Sequence, residues 1–274
     1  MIRLFLIEWI KLRKYRAFQI LTGLYFLVVA VVCSSGMIFL EFLKSKGADF
    51  KGISPTILPI YEFPEVWANL TFIAAWMKIF LAFIVIISIT NEVSYKTLRQ
   101  NVIDGLSRVE FMLSKLIMIF FFSLMNTLLI FILGLITGLI YSQDTSLGAI
   151  FGNMHYLGAF MYNVFIFLVF AFFLGILIKR TGIVIIFLGI YSVFIEPITM
   201  LIFSNAPFIP HFLKVAVPYF PINGINNLLP SPFSQYIFRE YQDYISFASI
   251  SIVSIHLILY LSIIYLLLKL KNNI

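Results

Sequence analysis

The run Tyr156–Phe203 reads YLGAFMYNVFIFLVFAFFLGILI, then Lys179-Arg180-Thr181, then GIVIIFLGIYSVFIEPITMLIF. A helix needs about 20 apolar residues to cross a hydrocarbon core ~30 Å thick, and each half of this run meets that length. The short polar break leaves room only for a tight turn, so the run predicts two antiparallel spans, Tyr156–Ile178 and Gly182–Phe203. Working outward, four more stretches qualify: Ala17–Leu40, Trp67–Thr90, Leu113–Tyr141 and Ile245–Leu268. Only Lys78 interrupts the second. With 62% hydrophobic and 11% charged residues, against about 25% charged in soluble domains, the chain falls in the membrane class. The expected fold is an all-α integral membrane protein, one transmembrane domain over 1–274 with six spans.

The net charge of +7 points either to nucleic acid or to a membrane surface, and its placement decides. Lys and Arg accumulate on the cytoplasmic side of spans. A cytoplasmic N-terminus gathers Arg3 to Arg16, Lys96, Arg99, Arg108, Lys115, Lys179, Arg180, Lys269 and Lys271 inside, leaving Lys44, Lys46, Lys51, Lys214 and Arg239 outside. The expectation is a multi-pass inner (plasma) membrane protein with both termini cytoplasmic and no nucleic-acid partner. The basic region before the first span is too long for a signal peptide, and Val31-Val32 before Cys33 do not suit cleavage, so the segment is read as retained. A single Cys also excludes an intramolecular disulfide.

Residues 1–16 form a separate element. Ile2, Phe5, Leu6 and Trp9 follow the spacing of one helical face, with Arg3, Lys11 and Lys14 opposite, which predicts an amphipathic helix in the lipid interface. Near the other end, the outer segment 204–244 combines six prolines (Pro207, Pro210, Pro218, Pro221, Pro230, Pro232) with an apolar run through Phe220. Repeated helix breaks in an apolar loop predict short re-entrant helices shielded by protein.

Between the second and third spans lies a polar segment, 91–110. Glu92–Ile103 has helical propensity without a breaker, Asp104-Gly105 signals a turn, and Ser107 with Glu110 matches a capping box. The reading is a short helix under the membrane, a sharp turn, and a third span that starts outside the bilayer. The run EVSYKTLRQNVIDGLSRVEFMLSK (residues 92–115) resembles the cytoplasmic loop of type-2 ATP-binding-cassette permeases, exporter-type membrane subunits of about this length. The layout of the whole chain fits that family; the wording is close only across about Asn91–Lys115. The resemblance implies a coupling helix that docks on a separate ATPase, formed here by Glu92, Tyr95, Thr97, Leu98, Arg99, Gln100, Asp104, Gly105, Ser107 and Arg108. It implies re-entrant helices before the sixth span, at Pro218-Tyr-Phe-Pro-Ile-Asn-Gly-Ile-Asn-Asn227. It further implies a second permease subunit, identical or not, and ATP with Mg on the partner ATPase. No cofactor is expected on this chain, which has no G-x-x-x-x-G-K-[ST] and is read as a transporter subunit, not an enzyme. The family handles drugs, peptides, ions, lipids and polysaccharides, so it does not identify a substrate.

Two ionisable residues interrupt the spans, and such residues are functional candidates by default because they cost several kcal/mol unless paired or hydrated. At 1.5 Å per residue Lys78 lies ~20 Å from the Asn91 end of its span and Glu196 ~22 Å from the Thr181 end of its own. Pro197, directly after Glu196, frees a carbonyl and predicts a kink. The expectation is a Lys78–Glu196 pair, within one protomer or across a dimer, that lines or gates the substrate path. Gly134 and Gly138 form a G-x-x-x-G pair that suits helix contact. His155, His211 and His256 are scattered without metal-ligand spacing, and Asn126 is expected as a buried hydrogen-bonding residue. Two other classes compete: an ion-coupled secondary transporter, which predicts an internal repeat, and a membrane enzyme or sensor, which predicts a catalytic cluster; neither feature is evident.

Overall fold

The tight turn after Tyr156–Ile178 is closed by Lys179. This residue adopts left-handed backbone (φ 63°), donates its N–H to Gly175 O and so ends the helix in an αL cap. The computed structural model describes residues 2–47, 59–94, 105–231 and 244–270. In chain order its helices are α1 (Ile2–Lys14), α2 (Arg16–Ser34), α3 (Gly36–Ser45), α4 (Val66–Ser94), α5 (Arg108–Tyr141), α6 (Leu147–Phe151) and α7 (His155–Ile178). They continue with α8 (Thr181–Ile190), a π-helical turn (Tyr191–Ile195), α9 (Glu196–Asn205), α10 (His211–Ala216), α11 (Pro221–Asn226) and α12 (Phe247–Leu270). Among the described residues, six helical segments are long and apolar enough to cross a membrane, which makes the chain a multi-pass membrane protein.

The core is built around α7. This helix is apolar all round and buried along most of its length, as expected of a helix enclosed by others. α4 packs most extensively on it, with α5, α8, α11 and α12 completing the surround. Gly175 lets Ile89 of α4 approach, its absent Cβ position lying 3.4 Å from Ile89 Cγ2. Thr90 and Thr181 then share a hydrogen bond of 2.7 Å and fix the α7–α8 turn against the end of α4. By contrast α2, α8 and α12 expose many large apolar side chains, the composition of a lipid-facing surface, where apolar residues are at no disadvantage.

The structure modifies several spans. The first apolar stretch does not run unbroken from Ala17 to Leu40. The Tyr61 hydroxyl donates to Cys33 O (2.6 Å) and accepts from Gly36 N (2.7 Å), so it occupies the helical ladder where α2 gives way to α3. The second helix continues to Ser94, past the expected end at Thr90. The third begins at Arg108 behind the expected capping box: Ser107 Oγ accepts from Glu110 N (3.1 Å) and Glu110 accepts from Ser107 N (2.8 Å). Gly105 takes the left-handed turn conformation (φ 92°) foreseen for it. Gly134 and Gly138 do form a contact groove, but this chain fills it. A Cβ at Gly134 would lie 2.6 Å from the Trp67 ring and one at Gly138 2.3 Å from the Phe63 ring.

Candidate functional site

Two polar centres are buried in the helical bundle, each around a lysine. The first sits where α1 crosses α4 and α5. Leu4, Glu8 and Leu12 lie at i, i+4, i+8 of α1 and form its buried face, with the Phe5 ring tilted against Phe121 of α5. The Leu4–Glu8–Leu12 stripe carries the Glu8 carboxylate inward. Lys115 Nζ, fully buried, donates to Glu8 Oε2 at 2.5 Å and also to Glu92 Oε1. Lys11, partly exposed, lies 3.5 Å from both carboxylates, and Ser114 Oγ donates to Glu8 Oε1 at 3.3 Å. Burial alone would raise the Glu8 carboxyl, but the charge and hydrogen bond of Lys115, with Lys11 and Ser114, hold it below its ordinary value. Two carboxylates and two ammonium groups thus neutralise one another, the arrangement a low-dielectric site requires.

The second centre is in the middle of the bundle. Lys78 Nζ, from α4, donates to Asn163 Oδ1 on α7 and to Asn226 Oδ1 at the end of α11, both at 2.8 Å. It lies 5.1 Å from the Phe167 ring centroid, a cation–π distance. Asn163 in turn donates from Nδ2 to Ile225 O at 2.5 Å, so lysine and asparagine together hold the C-terminal end of α11. The opposite end of α11 is held by Glu196. Its Oε1 accepts from Asn223 N at 2.6 Å, one of the backbone donors that a helix N-terminus leaves unpaired. Its Oε2 makes no hydrogen bond of acceptable geometry, although Tyr191, Tyr260 and His256 lie close enough to act on it electrostatically.

Lys78 and Glu196 do not pair with each other: the ion pairs among the described residues are confined to the Lys115 centre. The expected mutual neutralisation within a protomer is therefore not made. The physical reason is α11, whose two ends take the two charged side chains separately. At Pro197, where a kink is expected, the helix changes type. The helix widens into a π-turn over Tyr191–Ile195 just before it, and such turns let a helix accommodate a missing N–H and are frequent at functional sites.

A cavity of about 90 Å³ adjoins Lys78, with Asn163, Asn226, Ser192, Phe72, Trp76 and Phe167 among its lining residues. A larger one, about 390 Å³, lies under α1 between Trp9, Phe18, Phe26, Met118 and Phe122.

No family model matches the chain, and no curated protein matches it.

Of the residues expected to couple to an ATPase, Tyr95, Thr97, Leu98, Arg99, Gln100 and Asp104 lie outside the described residues. Glu92 sits in the Lys115 centre, and Gly105 and Ser107 shape the turn into α5. Arg108 donates from Nη1 to Leu268 O (2.9 Å) and Lys269 O (2.8 Å), so its guanidinium caps the end of α12. Sequence reasoning missed Glu8, Lys115, Asn163 and Asn226. Glu8 had a usable signal, a carboxylate between Leu4 and Leu12 on one helical stripe. Asn126 is buried as expected, yet its amide makes no hydrogen bond of good geometry; the Tyr25 hydroxyl beside it is similarly placed. No metal-ligating cluster is present among the described residues.

Proposed function

We propose that the chain is the permease subunit of an ATP-driven export system, paired with a second permease subunit and coupled to a separate ATPase that binds ATP and Mg. Both termini and segment 95–104 face the cytoplasm in this reading, as the distribution of Lys and Arg favours. Glu92 to Arg108 then form the docking surface, and Lys78, Glu196 and Pro197 lie beside the substrate path.

The observation that carries the reading is how both ends of segment 95–104 are anchored. On one side, Glu92 is tied to α1 and α5 through Lys115 and Lys11. On the other, Gly105, the Ser107–Glu110 box and the Arg108 cap join the segment to α5 and α12. A push on such a segment is delivered to four helices at once, which is what coupling to a motor requires. The resemblance of residues 92–115 to permease loops supplies the kind of motor.

The test is cross-linking from position 99 in native membranes, then ATPase assay of the purified complex. The expected result is a cross-linked P-loop protein whose co-purification is lost in Arg99→Glu, since reversing that charge repels a carboxylate partner. A complex without ATP hydrolysis, or intact ATPase association in Arg99→Glu together with Gly105→Val, would refute it. The charges buried at Lys78 and Glu196 favour one competing reading, ion-coupled transport by this chain alone. It predicts transport in vesicles that a proton or sodium gradient drives without ATP.

A further inference from the structure

Among the described residues, Lys78 is paired with no carboxylate. Its partners are two neutral amide oxygens and the face of Phe167, which together use the three N–H groups of an ammonium. Two amide acceptors and the negative face of an aromatic ring make an environment suited to an ammonium group. A buried cation with only dipoles around it keeps most of its desolvation cost.

The cavity wall next to it carries two further donors without acceptors. Ser192 Oγ is buried and makes no hydrogen bond. This departs from Thr71, Thr90, Ser123 and Thr137, whose hydroxyls all donate back to the carbonyl four residues earlier. The π-turn that contains Ser192 disturbs that back-bond. Asn226, an exposed residue, accepts from Lys78 through Oδ1, and among the described residues its Nδ2 has no acceptor. One cation, one free O–H and one free N–H therefore meet at a single cavity. Water could satisfy the two donors but would not compensate the charge.

The remaining walls are apolar and lead outward. Phe72, Trp76, Phe167 and Val193 line the cavity, and Trp76 and Val193 are 69% and 53% exposed. The volume of about 90 Å³ is well below the ~300–1,000 Å³ of pockets that enclose a whole drug-sized ligand. It has room for a head group, with the rest of the molecule held against the exposed aromatic rim. We infer that Lys78, Ser192 and Asn226 form a binding site for the anionic head, a carboxylate or similar monoanion, of an amphiphile whose apolar tail lies along Trp76 and Val193. The site is a property of this chain and does not depend on how transport is powered.

The experiment uses the purified full chain in nanodiscs of zwitterionic lipid, with Trp76 fluorescence as the readout. The probe is α-brominated dodecanoate, whose quenching bromine sits beside the carboxylate. The controls are the matching brominated alcohol and sodium bromide. The expected result is saturable quenching by the acid that disappears in Trp76→Phe, with only linear quenching by the alcohol. Lys78→Arg should retain the saturable component and Lys78→Met should weaken it by about tenfold or more, the equivalent of one charge-assisted hydrogen bond. Ser192→Ala removes a hydroxyl that bonds to nothing in the chain, so the fold is undisturbed while the acid binds several-fold more weakly. Equal quenching by acid and alcohol, or unchanged saturation in Lys78→Met and Ser192→Ala, overturns the site. Saturable quenching by bromide alone overturns the assignment to an amphiphile.

Discussion

The two buried lysines of this protein are solved in opposite ways. Lys115, at the crossing of α1, α4 and α5, meets two carboxylates, with Lys11 and Ser114 beside them. Lys78, in the middle of the bundle, meets two amides, an aromatic face and a cavity. The first is closed: every charge has its opposite within the chain. The second is open, because its charge is solvated by dipoles and two donors beside it are unused. Closed ionic clusters fix the geometry of the elements they join, and open ones are where a ligand gains most by entering.

The largest expected effect breaks the closed centre. Lys115→Met leaves Glu8 and Glu92 with only the partly exposed Lys11 beside them, and breaking a buried pair typically costs ~3–5 kcal/mol. Thermal unfolding of the variant in detergent should show that loss, with early release of α1 detected by proteolysis. Next is Glu8→Gln, which leaves Lys115 one carboxylate and is expected to cost ~1.5–3 kcal/mol, the range for hydrogen bonds to charged groups. It carries a pH signature. The folded state holds the Glu8 carboxyl below its ordinary value of 4.5, so its contribution is complete above that pH. The contribution fades as pH falls through the lower, folded value. Acid titration of the native chain should therefore loosen α1, and Glu8→Gln should remove that dependence.

Smaller effects belong to the open centre. Lys78→Met strands two neutral amide oxygens, a cost of ~1–3 kcal/mol, but removes an ammonium that no carboxylate compensates. Its unfolding midpoint should fall less than that of Lys115→Met, and equal losses would erase the distinction between the centres. Ser192→Ala should leave the midpoint unchanged within error, since its hydroxyl has no partner to lose.

How much of this was legible in the sequence follows the range of the interactions. The spans are written in runs of apolar residues, and a run needs no tertiary information to be read. Gly105 and the Ser107–Glu110 box were legible for the same reason, because a turn and a cap are settled within a few residues. Lys115 was not. Seven residues after the start of α5 at Arg108 it reads as a solvated cation, and only the convergence of Glu8 and Glu92 from distant parts of the chain buries it. The Lys78–Glu196 pairing failed on the same ground. Equal depth along two spans says nothing about what lies between them, and here α11 separates them. The G-x-x-x-G pair correctly signalled close packing, but Phe63 and Trp67 of this chain are the neighbours. The break at Ser35 has a local mark, Ser34-Ser35-Gly36, but the Tyr61 hydroxyl that occupies it arrives from the next loop and is not written in the run.

The contrast between the two centres is tested most directly by a pair of double-mutant cycles read by unfolding free energy in one detergent. For Lys115→Met with Glu8→Gln, the account predicts a coupling energy of ~1 kcal/mol or more, because the two side chains are in contact. For Lys78→Met with Glu196→Gln, it predicts a smaller coupling, because the two side chains make no ion pair and act on each other only through α11. A coupling between Lys78 and Glu196 as large as that between Lys115 and Glu8 would contradict it, and would mean that the open centre is closed after all.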